Sequence, residues 1–498
     1  GKGPAHSGGT STQSTAAGGG PKRGGTLTVG SLGGASDRLD PNLTSSNMDL
    51  ERLFNLYDTL TYFPHDAFNL QYGLAESIEL SAGASVATIR VRDGITWHNG
   101  KPFTIDDVMY TFKRIVNPKN PGKAAKSLSS LNPNAMQKMD SRTMRMTLAF
   151  PDSVFAERFY IPQSSILPEG FAESHPIGTG PFMYQSFTPG QRSVFVRNPN
   201  YWMSGKPYLD KLVIVDFPDG TSQMNALLSG QIDAMDSVAL NETSTISGRS
   251  NLKLLVADGG YYQPIVMRVN QAPFNDVRVR QAFRLMVDRP QMVTQAYNGY
   301  GAVGNDMPCP TDPAYPHGLA QRHQDIAQAK SLLKAAGQAG MSVRMVTADE
   351  DYGLISGAQV FVQNAKAAGV NVNLDVIPSS VYDPKFTQWP FTQGYYGNKP
   401  FGMMWAFRYV PGANLNDTQW SDPHSEDVFH AALKETDVTA RNEKFAILEK
   451  ILYDSGGDII HSFRKTVDAH SSKLTGFVAD RSTGWSLGQY RFRDVSYL

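Results

Sequence analysis

The spacing of apolar and polar residues predicts a chain of alternating strands and helices. Over residues 370–376, apolar side chains alternate with two asparagines and an aspartate, which is the pattern of a half-buried strand. Residues 341–346 form a predicted strand and residues 355–368 a predicted helix, so the stretch 341–376 is expected to be a βαβ unit. A strand, a helix and a short strand are also predicted over residues 212–232. Both units indicate an α/β fold with right-handed crossovers.

Apolar residues spaced three or four positions apart predict further amphipathic helices. These runs lie at 49–62, 105–115, 277–286, 325–336 and 441–454. Thr104 stands just before the acidic first turn of the second run and is expected to cap that helix. The hairpin that precedes it contains His98, for which we expect a structural role.

The segment from Phe386 to Trp420 is unusually rich in aromatic side chains. Ten of its 35 residues are Phe, Tyr or Trp, whereas 10% of the whole chain is aromatic. Gly and Pro interrupt the segment too often for one long helix. Amides and one cation, Arg408, are scattered among the rings. Such a mixture is typical of a small-molecule pocket, and a strand with a loop that covers a core is the structural alternative.

Length and charge limit the classes of function. A chain of 498 residues is expected to form at least two domains. The 46 basic and 46 acidic residues balance, which argues against nucleic acid or an anionic membrane as the main partner. The single cysteine, Cys309, excludes an internal disulfide and a cysteine-based metal site. No apolar run approaches the roughly 20 residues of a membrane-spanning helix.

The sequence contains no catalytic, metal or cofactor motif in the structural context that such a motif requires. The run from Gly299 to Gly304 matches a dinucleotide fingerprint by letters, but the residues after it do not predict a helix. The ten histidines are dispersed, without a pair at metal-ligand spacing on a predicted helix. We therefore expect no catalytic residues, no metal and no cofactor.

Residues 1–25 are dominated by Gly, Ser and Thr and contain no aromatic residue. Such a composition cannot bury enough apolar surface to offset its ordering entropy, so a flexible N-terminal tether is expected. Lipid attachment just upstream of residue 1, after export, would explain a tether at this end. A cloning remnant or an ordinary disordered tail is the alternative.

A series of motifs, in order along the chain, resembles the family 5 extracellular solute-binding proteins, which are dipeptide-, oligopeptide- and nickel-binding receptors of ABC importers. The resemblance covers nearly the whole chain after residue 24. The motifs are the block at 87–115, PIGTGPF at 176–182, VRNPNYW at 196–202, KPYLDKLVI at 206–214, ALLSGQIDA at 226–234, MRVNQAPFNDVRVRQAF at 267–283 and VDR at 287–289.

The resemblance implies an α/β fold of two periplasmic-binding-protein-like lobes, of class II and cluster C type, with an extra subdomain in the first lobe. Residues 26–266 would begin the first lobe, with the subdomain at about 45–185. Residues 267–463 would form the second lobe, and residues 464–498 would complete the first. The two crossings between lobes are expected near 262–270 and 460–469.

The resemblance also implies a way to recognise the ligand. In peptide-binding members, a strand that enters the aromatic segment resembles W-x-x-D, and its acid pairs with the free amino group of the peptide. Arg408 stands at the acidic position here, three residues after Trp405. Arg408 would contact a ligand anion, stack on a ring and donate hydrogen bonds, or form an ion pair with Asp417 or another acid. The ligand-binding residues predicted on this basis are Trp405, Ala406, Phe407, Arg408, Tyr409, Tyr395, Tyr396, Trp420, Asn414 and Tyr262.

The function implied by the resemblance is capture of a solute between two lobes and its delivery to an ABC transporter permease. A peptide or peptide-like solute is the first expectation, an oligosaccharide is the alternative, and a hydrolase is a remote one. The receptor would be a monomer outside the cytoplasm, either periplasmic or held at the outer face of the membrane by its lipid.

Overall fold

The computed structural model describes residues 20–44 and 46–498. The predicted tether therefore lies almost entirely outside the described residues. The strands are, in chain order, β1 Thr26–Leu32, β2 Thr61–Tyr62, β3 Gln71–Tyr72, β4 Ala75–Leu80, β5 Val86–Val91, β6 Met136–Lys138, β7 Thr143–Thr147, β8 Phe182–Thr188, β9 Arg192–Arg197, β10 Lys211–Phe217, β11 Ala234–Met235, β12 Leu252–Tyr262, β13 Ile265–Met267, β14 Gly301–Val303, β15 Ser342–Thr347, β16 Asn371–Val376, β17 Phe391–Gln393, β18 Asp458–Ile459, β19 Ser462–Ser471, β20 Leu474–Thr475 and β21 Ser496–Tyr497.

The helices alternate with these strands, as the sequence pattern predicts. They are α1 Asn47–Leu56, α2 Ile105–Ile115, α3 Gly220–Leu228, α4 Thr243–Ser247, α5 Val277–Met286, α6 Arg289–Ala296, α7 Ile326–Ala335, α8 Leu354–Ala367, α9 Ser379–Tyr382, α10 Phe401–Arg408, α11 Pro423–Lys434, α12 Val438–Ser455 and a short turn, α13, Ser486–Gln489. Within the described ranges, no helix is both long and apolar enough to cross a membrane.

The first lobe is built on an eight-stranded mixed sheet. Its strand order is β12-β19-β11-β1-β10-β9-β8, and β14 pairs with β19. Strand β1 is parallel to both of its neighbours, β10 and β11. Although β14 falls in the range predicted for the second lobe, it pairs with the first-lobe sheet. Apolar residues of β1 and β10, such as Leu27, Val29 and Ile214, are fully buried in the core of this lobe.

The second lobe is built on a five-stranded sheet with the order β16-β15-β17-β13-β18. Strands β15 and β16 are parallel and are joined by α8, so the predicted βαβ unit is confirmed. The chain passes from the first sheet to the second between β12 and β13, and returns between β18 and β19. Strands β12 and β13 with their connection, and β18 and β19 with theirs, are called the hinge strands here. The residue boundaries of the domains stay a prediction.

A four-stranded antiparallel sheet, β4-β5-β7-β6, lies within the range predicted for the extra subdomain and has its own apolar core. Helix α2 packs on it and begins, as predicted, with a capping box in which Thr104 and Asp107 satisfy each other's backbone N–H groups.

The PIGTGPF motif packs against the end of helix α1. A Cβ atom on Gly178 would lie 2.0 Å from the carbonyl oxygen of Leu56, and one on Gly180 would lie 2.4 Å from its carbonyl carbon. Gly180 N–H donates to the Leu56 carbonyl at 3.0 Å. This contact occurs where α1 ends, at Leu56. The apolar spacing predicted a helix to Tyr62, six residues further.

His98 holds the same loop. Its Nδ1 accepts from Gly178 N–H at 3.1 Å, so its Nε2 carries the proton and donates to the Gly180 carbonyl at 3.0 Å. Burial lowers the pKa of His98 to about 4. The structural role expected for this histidine is confirmed.

Candidate functional site

A cleft of about 540 Å³ lies between the two lobes beside the hinge strands. Residues 237–240, 464–467 and 483–486, with Tyr261 and Tyr490, contribute its first-lobe wall, and Asp351, Tyr352 and Gly397 contribute the second-lobe wall. Residues 237–240 follow the carboxyl end of β11, and Asp351 follows the carboxyl end of β15. Open α/β sheets bind ligands beyond the carboxyl ends of their strands, so this cleft is the candidate binding site.

An ion pair joins the lobes at the wall of the cleft. Arg464, on β19, donates to Asp351 at 3.0 Å, and the two side chains remain about one-fifth exposed. Asp351 also accepts from the Tyr261 hydroxyl and from Gln263 Nε2 at 2.9 Å. Tyr261, Asp351 and Arg464 therefore line the cleft and hold its two walls together.

Lys465 adds a second cation to the first-lobe wall and lies 3.3 Å from Asp258. The walls thus present cations on β19 and a carboxylate on the opposite lobe. Because a low-dielectric cleft strengthens such charges, this arrangement suits a solute that carries both signs.

Aromatic side chains form one end of the cleft. Trp485 is half-buried, stacks on Tyr160 with ring centroids 5.5 Å apart, and meets Phe54 edge-on at 5.3 Å. These contacts with two first-lobe rings fix the orientation of the indole, so its remaining exposed surface is a rigid platform at the cleft.

A left-handed turn positions this platform. Leu487, Gly488, Gln489 and Tyr490 have φ angles of 48°, 65°, 60° and 53°, in the region that favours glycine. The buried Asp468 accepts from Leu487 N–H at 2.7 Å and, with its other oxygen, from Ser237 N–H at 3.0 Å. Two backbone segments of the cleft wall are thus held by one carboxylate.

Burial raises the pKa of Asp468 to about 7, because the two backbone donors only partly offset the loss of water. The left-handed backbone of residues 487–490 is strained. Such strain persists only where the surrounding contacts impose it, and it is concentrated at functional sites.

A second, larger cavity of about 820 Å³ lies between the subdomain and helices α10 and α11. Three of the ten predicted binding residues, Ala406, Phe407 and Asn414, line it. Helix α10 itself differs from expectation, because residues 401–408 are helical. The strand in the aromatic segment is β17, which ends eight residues before α10 begins. The comparison with a strand-borne W-x-x-D pattern therefore does not hold at Trp405.

Arg408 lies at the end of α10 and is completely buried. It pairs with Asp417 at 2.6 Å and with both oxygens of Asp458, at 2.9 and 3.0 Å. Its guanidinium carbon lies 3.9 Å from the centre of the Tyr396 ring. Of the arrangements considered for Arg408, the ion pair with Asp417 is present.

Burial alone would lower the pKa of Arg408, but Asp417 and Asp458 raise it well above its ordinary value. The charge is therefore permanent and is compensated inside the second lobe.

The other six predicted binding residues are placed in two ways. Trp405, Tyr409, Tyr396, Trp420 and Tyr262 are buried in the same apolar cluster, around Arg408. Tyr395 is half-buried and packs edge-on against Phe386 at 5.9 Å. None of the ten predicted residues is among those that line the interlobe cleft. Their contact with a ligand stays a prediction.

Sequence reasoning missed the residues that line the cleft, and two signals pointed to them. Tyr262 was chosen in the hinge strand, but successive strand side chains point to opposite faces, and Tyr261 faces the cleft. Trp485 is one of only six tryptophans and stands in a turn-rich tail. The pairing of Asp351 with Arg464, 113 residues apart, carries no local signal.

No cluster of three or more His, Cys, Asp or Glu side chains that could hold a metal ion occurs in the part of the chain that the structure describes. Cys309 is a buried free thiol.

Comparison with known proteins identifies the family. Residues 69–414 match the family model described as bacterial extracellular solute-binding proteins, family 5 Middle. The chain belongs to this family. It is therefore an extracytoplasmic solute-binding receptor of the kind that serves ABC importers.

Relatives within the family differ in the ligands they are named for. Heme-binding protein A of Haemophilus influenzae is 28% identical over 323 residues, which are 59% of this chain and 58% of that protein. The glutathione-binding protein GsiB of Pectobacterium atrosepticum is 22% identical over 468 residues, or 90% of each chain.

Solved structures share the fold. CtaP from Listeria monocytogenes, an ABC transporter substrate-binding protein, has a TM-score of 0.83 with 21% identity, covering 96% of this chain and all of that one. DppA from Helicobacter pylori, in complex with the peptide STSA, has a TM-score of 0.77 with 21% identity, covering 96% and 98% of the two chains.

Proposed function

We propose that this receptor captures a short peptide or peptide-like solute in the interlobe cleft and releases it to an ABC permease. The observation that carries the proposal is that Tyr261, Asp351 and Arg464 both line the cleft and connect the lobes. A ligand that contacts these residues stabilises the closed state, and such differential contact is what shifts a population toward closure.

The charges of the cleft favour a zwitterion. A peptide carboxylate would approach Arg464 and Lys465 on β19, and its amino group would approach Asp351 on the facing wall. The partly exposed rings of Tyr261 and Trp485 supply apolar contact area for its side chains. The volume of about 540 Å³ lies within the usual range for pockets that enclose small ligands. GsiB, which is named for the tripeptide glutathione, and DppA, whose structure contains the peptide STSA, support this class.

An oligosaccharide is the second candidate, favoured by the fixed Trp485 platform beside polar side chains. The residues predicted earlier, including Ala406, Phe407 and Asn414, would contact a ligand only if it extended into the larger cavity. The second-lobe wall of the cleft would instead be supported from inside the lobe by Trp405, Arg408, Tyr409 and Tyr396. Gly397 lines the cleft and directly follows Tyr396 in the chain.

We also propose that the receptor binds its solute without chemical change and acts as a monomer outside the cytoplasm. A lipid anchor preceding residue 1 would hold it at the membrane surface. Incubation with a candidate peptide, followed by mass spectrometry of the solution, should return the peptide intact.

The decisive experiment compares matched peptides in wild type and Asp351→Asn. A panel of short peptides and oligosaccharides is first screened by thermal shift, together with native mass spectrometry of freshly purified protein. The best peptide is then tested with a free and an acetylated N-terminus. We expect acetylation to weaken binding to wild type by at least tenfold and to have little further effect on Asp351→Asn.

Asp375→Asn is the control, because Asp375 is an exposed second-lobe carboxylate paired with Arg344. If Asp351 only fastens the lobes, both peptides lose the same affinity in Asp351→Asn. A panel in which only oligosaccharides raise the melting temperature would replace the peptide assignment with the second candidate.

A further inference from the structure

The larger cavity, called here the subdomain groove, has two walls from different parts of the molecule. Phe150, Pro151 and Lys126 come from the subdomain, and Phe407, Val410 and Leu433 come from α10 and α11 or the residues next to them. Its volume of about 820 Å³ exceeds that of the interlobe cleft and lies in the range of pockets for small molecules. The peptide site proposed above in the interlobe cleft does not include it.

The walls are held together by a clasp next to the groove. Ser153 Oγ donates to the Ala432 carbonyl at 2.7 Å, and Ser153 N–H donates to the Leu433 carbonyl at 2.8 Å. Arg441 on α12 donates to Glu157 at 2.6 Å and to the Ser153 carbonyl at 3.0 Å. Residues on either side of this clasp line the groove, so its width depends on the contact between the subdomain and the second lobe.

The charges at the groove are unevenly compensated. Arg158 is neutralised by a buried ion pair with Asp152 at 2.6 Å. Lys126 and Lys434 are exposed, stand on opposite walls and have no carboxylate within ion-pair distance among residues 20–44 and 46–498. Asp427 is the single carboxylate of the lining. The groove therefore combines two unpaired cations, Lys126 and Lys434, with apolar lining residues. This combination complements a molecule with an apolar body and an acidic group.

We propose that the subdomain groove is a second binding site, which takes an elongated apolar molecule with one carboxylate, of the fatty-acid type. The aliphatic body lies against Phe150, Phe407 and Leu433, and the carboxylate lies between Lys126 and Lys434. Because its contacts come from both walls, this molecule binds the clasped arrangement and stabilises the contact between the subdomain and the second lobe.

A homologous series tests the apolar part. Octanoate, decanoate and dodecanoate, each below its critical micelle concentration, are titrated into the full chain by calorimetry. Burial of each methylene contributes enough free energy that the Kd should fall about fourfold per added CH₂ until the groove is filled. Ala406→Trp places an indole on the groove wall and should abolish this binding, while circular dichroism reports whether the variant remains folded.

Lysine variants test the acidic part. Lys126→Gln and Lys434→Gln should each weaken dodecanoate binding several-fold and leave the weaker binding of dodecanol, its neutral counterpart, unchanged. Lys330→Gln, at an exposed position on α7, is the control. Trp485→Ala, at the interlobe cleft, should leave dodecanoate binding intact, which separates this site from the cleft.

Three results would overturn the proposal. The first is no dodecanoate binding at all. The second is binding that Ala406→Trp leaves unchanged or that Trp485→Ala removes, which would place the molecule elsewhere. The third is equal affinity for dodecanol and dodecanoate with no effect of the lysine variants, which would refute the acidic ligand class.

Discussion

Replacing Arg408 by Met should destabilise the second lobe strongly while nearly preserving side-chain volume. The substitution removes a cation with five hydrogen bonds, to Tyr262, Tyr409, Asp417 and both oxygens of Asp458. It leaves Asp417 and Asp458 buried without their counter-charge. Hydrogen bonds to charged groups contribute about 1.5–3 kcal/mol each, but five such values would exceed many proteins' entire stability of about 5–15 kcal/mol.

The measured cost of breaking one side of a buried ion pair, about 3–5 kcal/mol, is therefore the better guide. Urea unfolding followed by tryptophan fluorescence measures the change, because Trp405 lies one helical turn before Arg408. Arg344→Met is the control. Arg344 pairs with Asp375 at 2.5 Å, but the two side chains are 57% and 43% exposed, so its removal should cost less than about 1 kcal/mol.

The sign of the pH dependence gives a second readout. Burial already raises the pKa of Asp417, and the charge of Arg408 is the main interaction that opposes this shift. Acid therefore protonates Asp417 more readily in Arg408→Met, so the stability gap to wild type should be smaller at pH 5 than at pH 8. A loss below about 1 kcal/mol, or a gap that widens in acid, would refute the inference that Arg408 holds the two carboxylates together.

Two further substitutions test the cleft wall and the PIGTGPF loop. Burial raises the pKa of Asp468 to about 7 from 3.8, so the folded protein holds a proton that the unfolded chain releases, and this contribution to stability is lost as pH rises from about 4 to 7. Asp468→Asn cannot titrate, and its melting temperature should fall less than that of wild type between pH 5 and 8; an equal fall would contradict the assignment. Gly180→Ala should lower the free energy of unfolding by about 1–3 kcal/mol, because its Cβ would meet the Leu56 backbone at 2.4 Å. Gly318→Ala, with open space around the added atom, is the control, and equal stability of the two variants would show that the loop yields.

Local patterns in the sequence determined most of the elements. Helix α5 covers the predicted residues 277–286, and the βαβ unit of the second lobe has the predicted order and parallel pairing. Such elements follow from periodicity, because one face of each helix or strand must be buried whatever its neighbours are. The ordered motifs also carried the family, which the match over residues 69–414 shows.

The aromatic segment shows where local reasoning stopped. Its density of rings indicated a pocket, but most of these rings surround the buried Arg408, and helix α10 stands where a strand was expected. A cluster of rings with amides has the same composition whether it lines a cavity or encloses an ion pair. Only the positions of Asp417 and Asp458 distinguish the two cases, and Asp458 is 50 residues from Arg408 in the chain.

The interlobe cleft was decided by tertiary structure alone. Asp351, Arg464 and Trp485 come from three separate segments, and they line one cleft only because the hinge strands bring the carboxyl ends of two sheets together. The sequence by itself determined the elements and the family, since both are written in local spacing. The candidate binding surface depends on contacts between lobes, which no local pattern encodes.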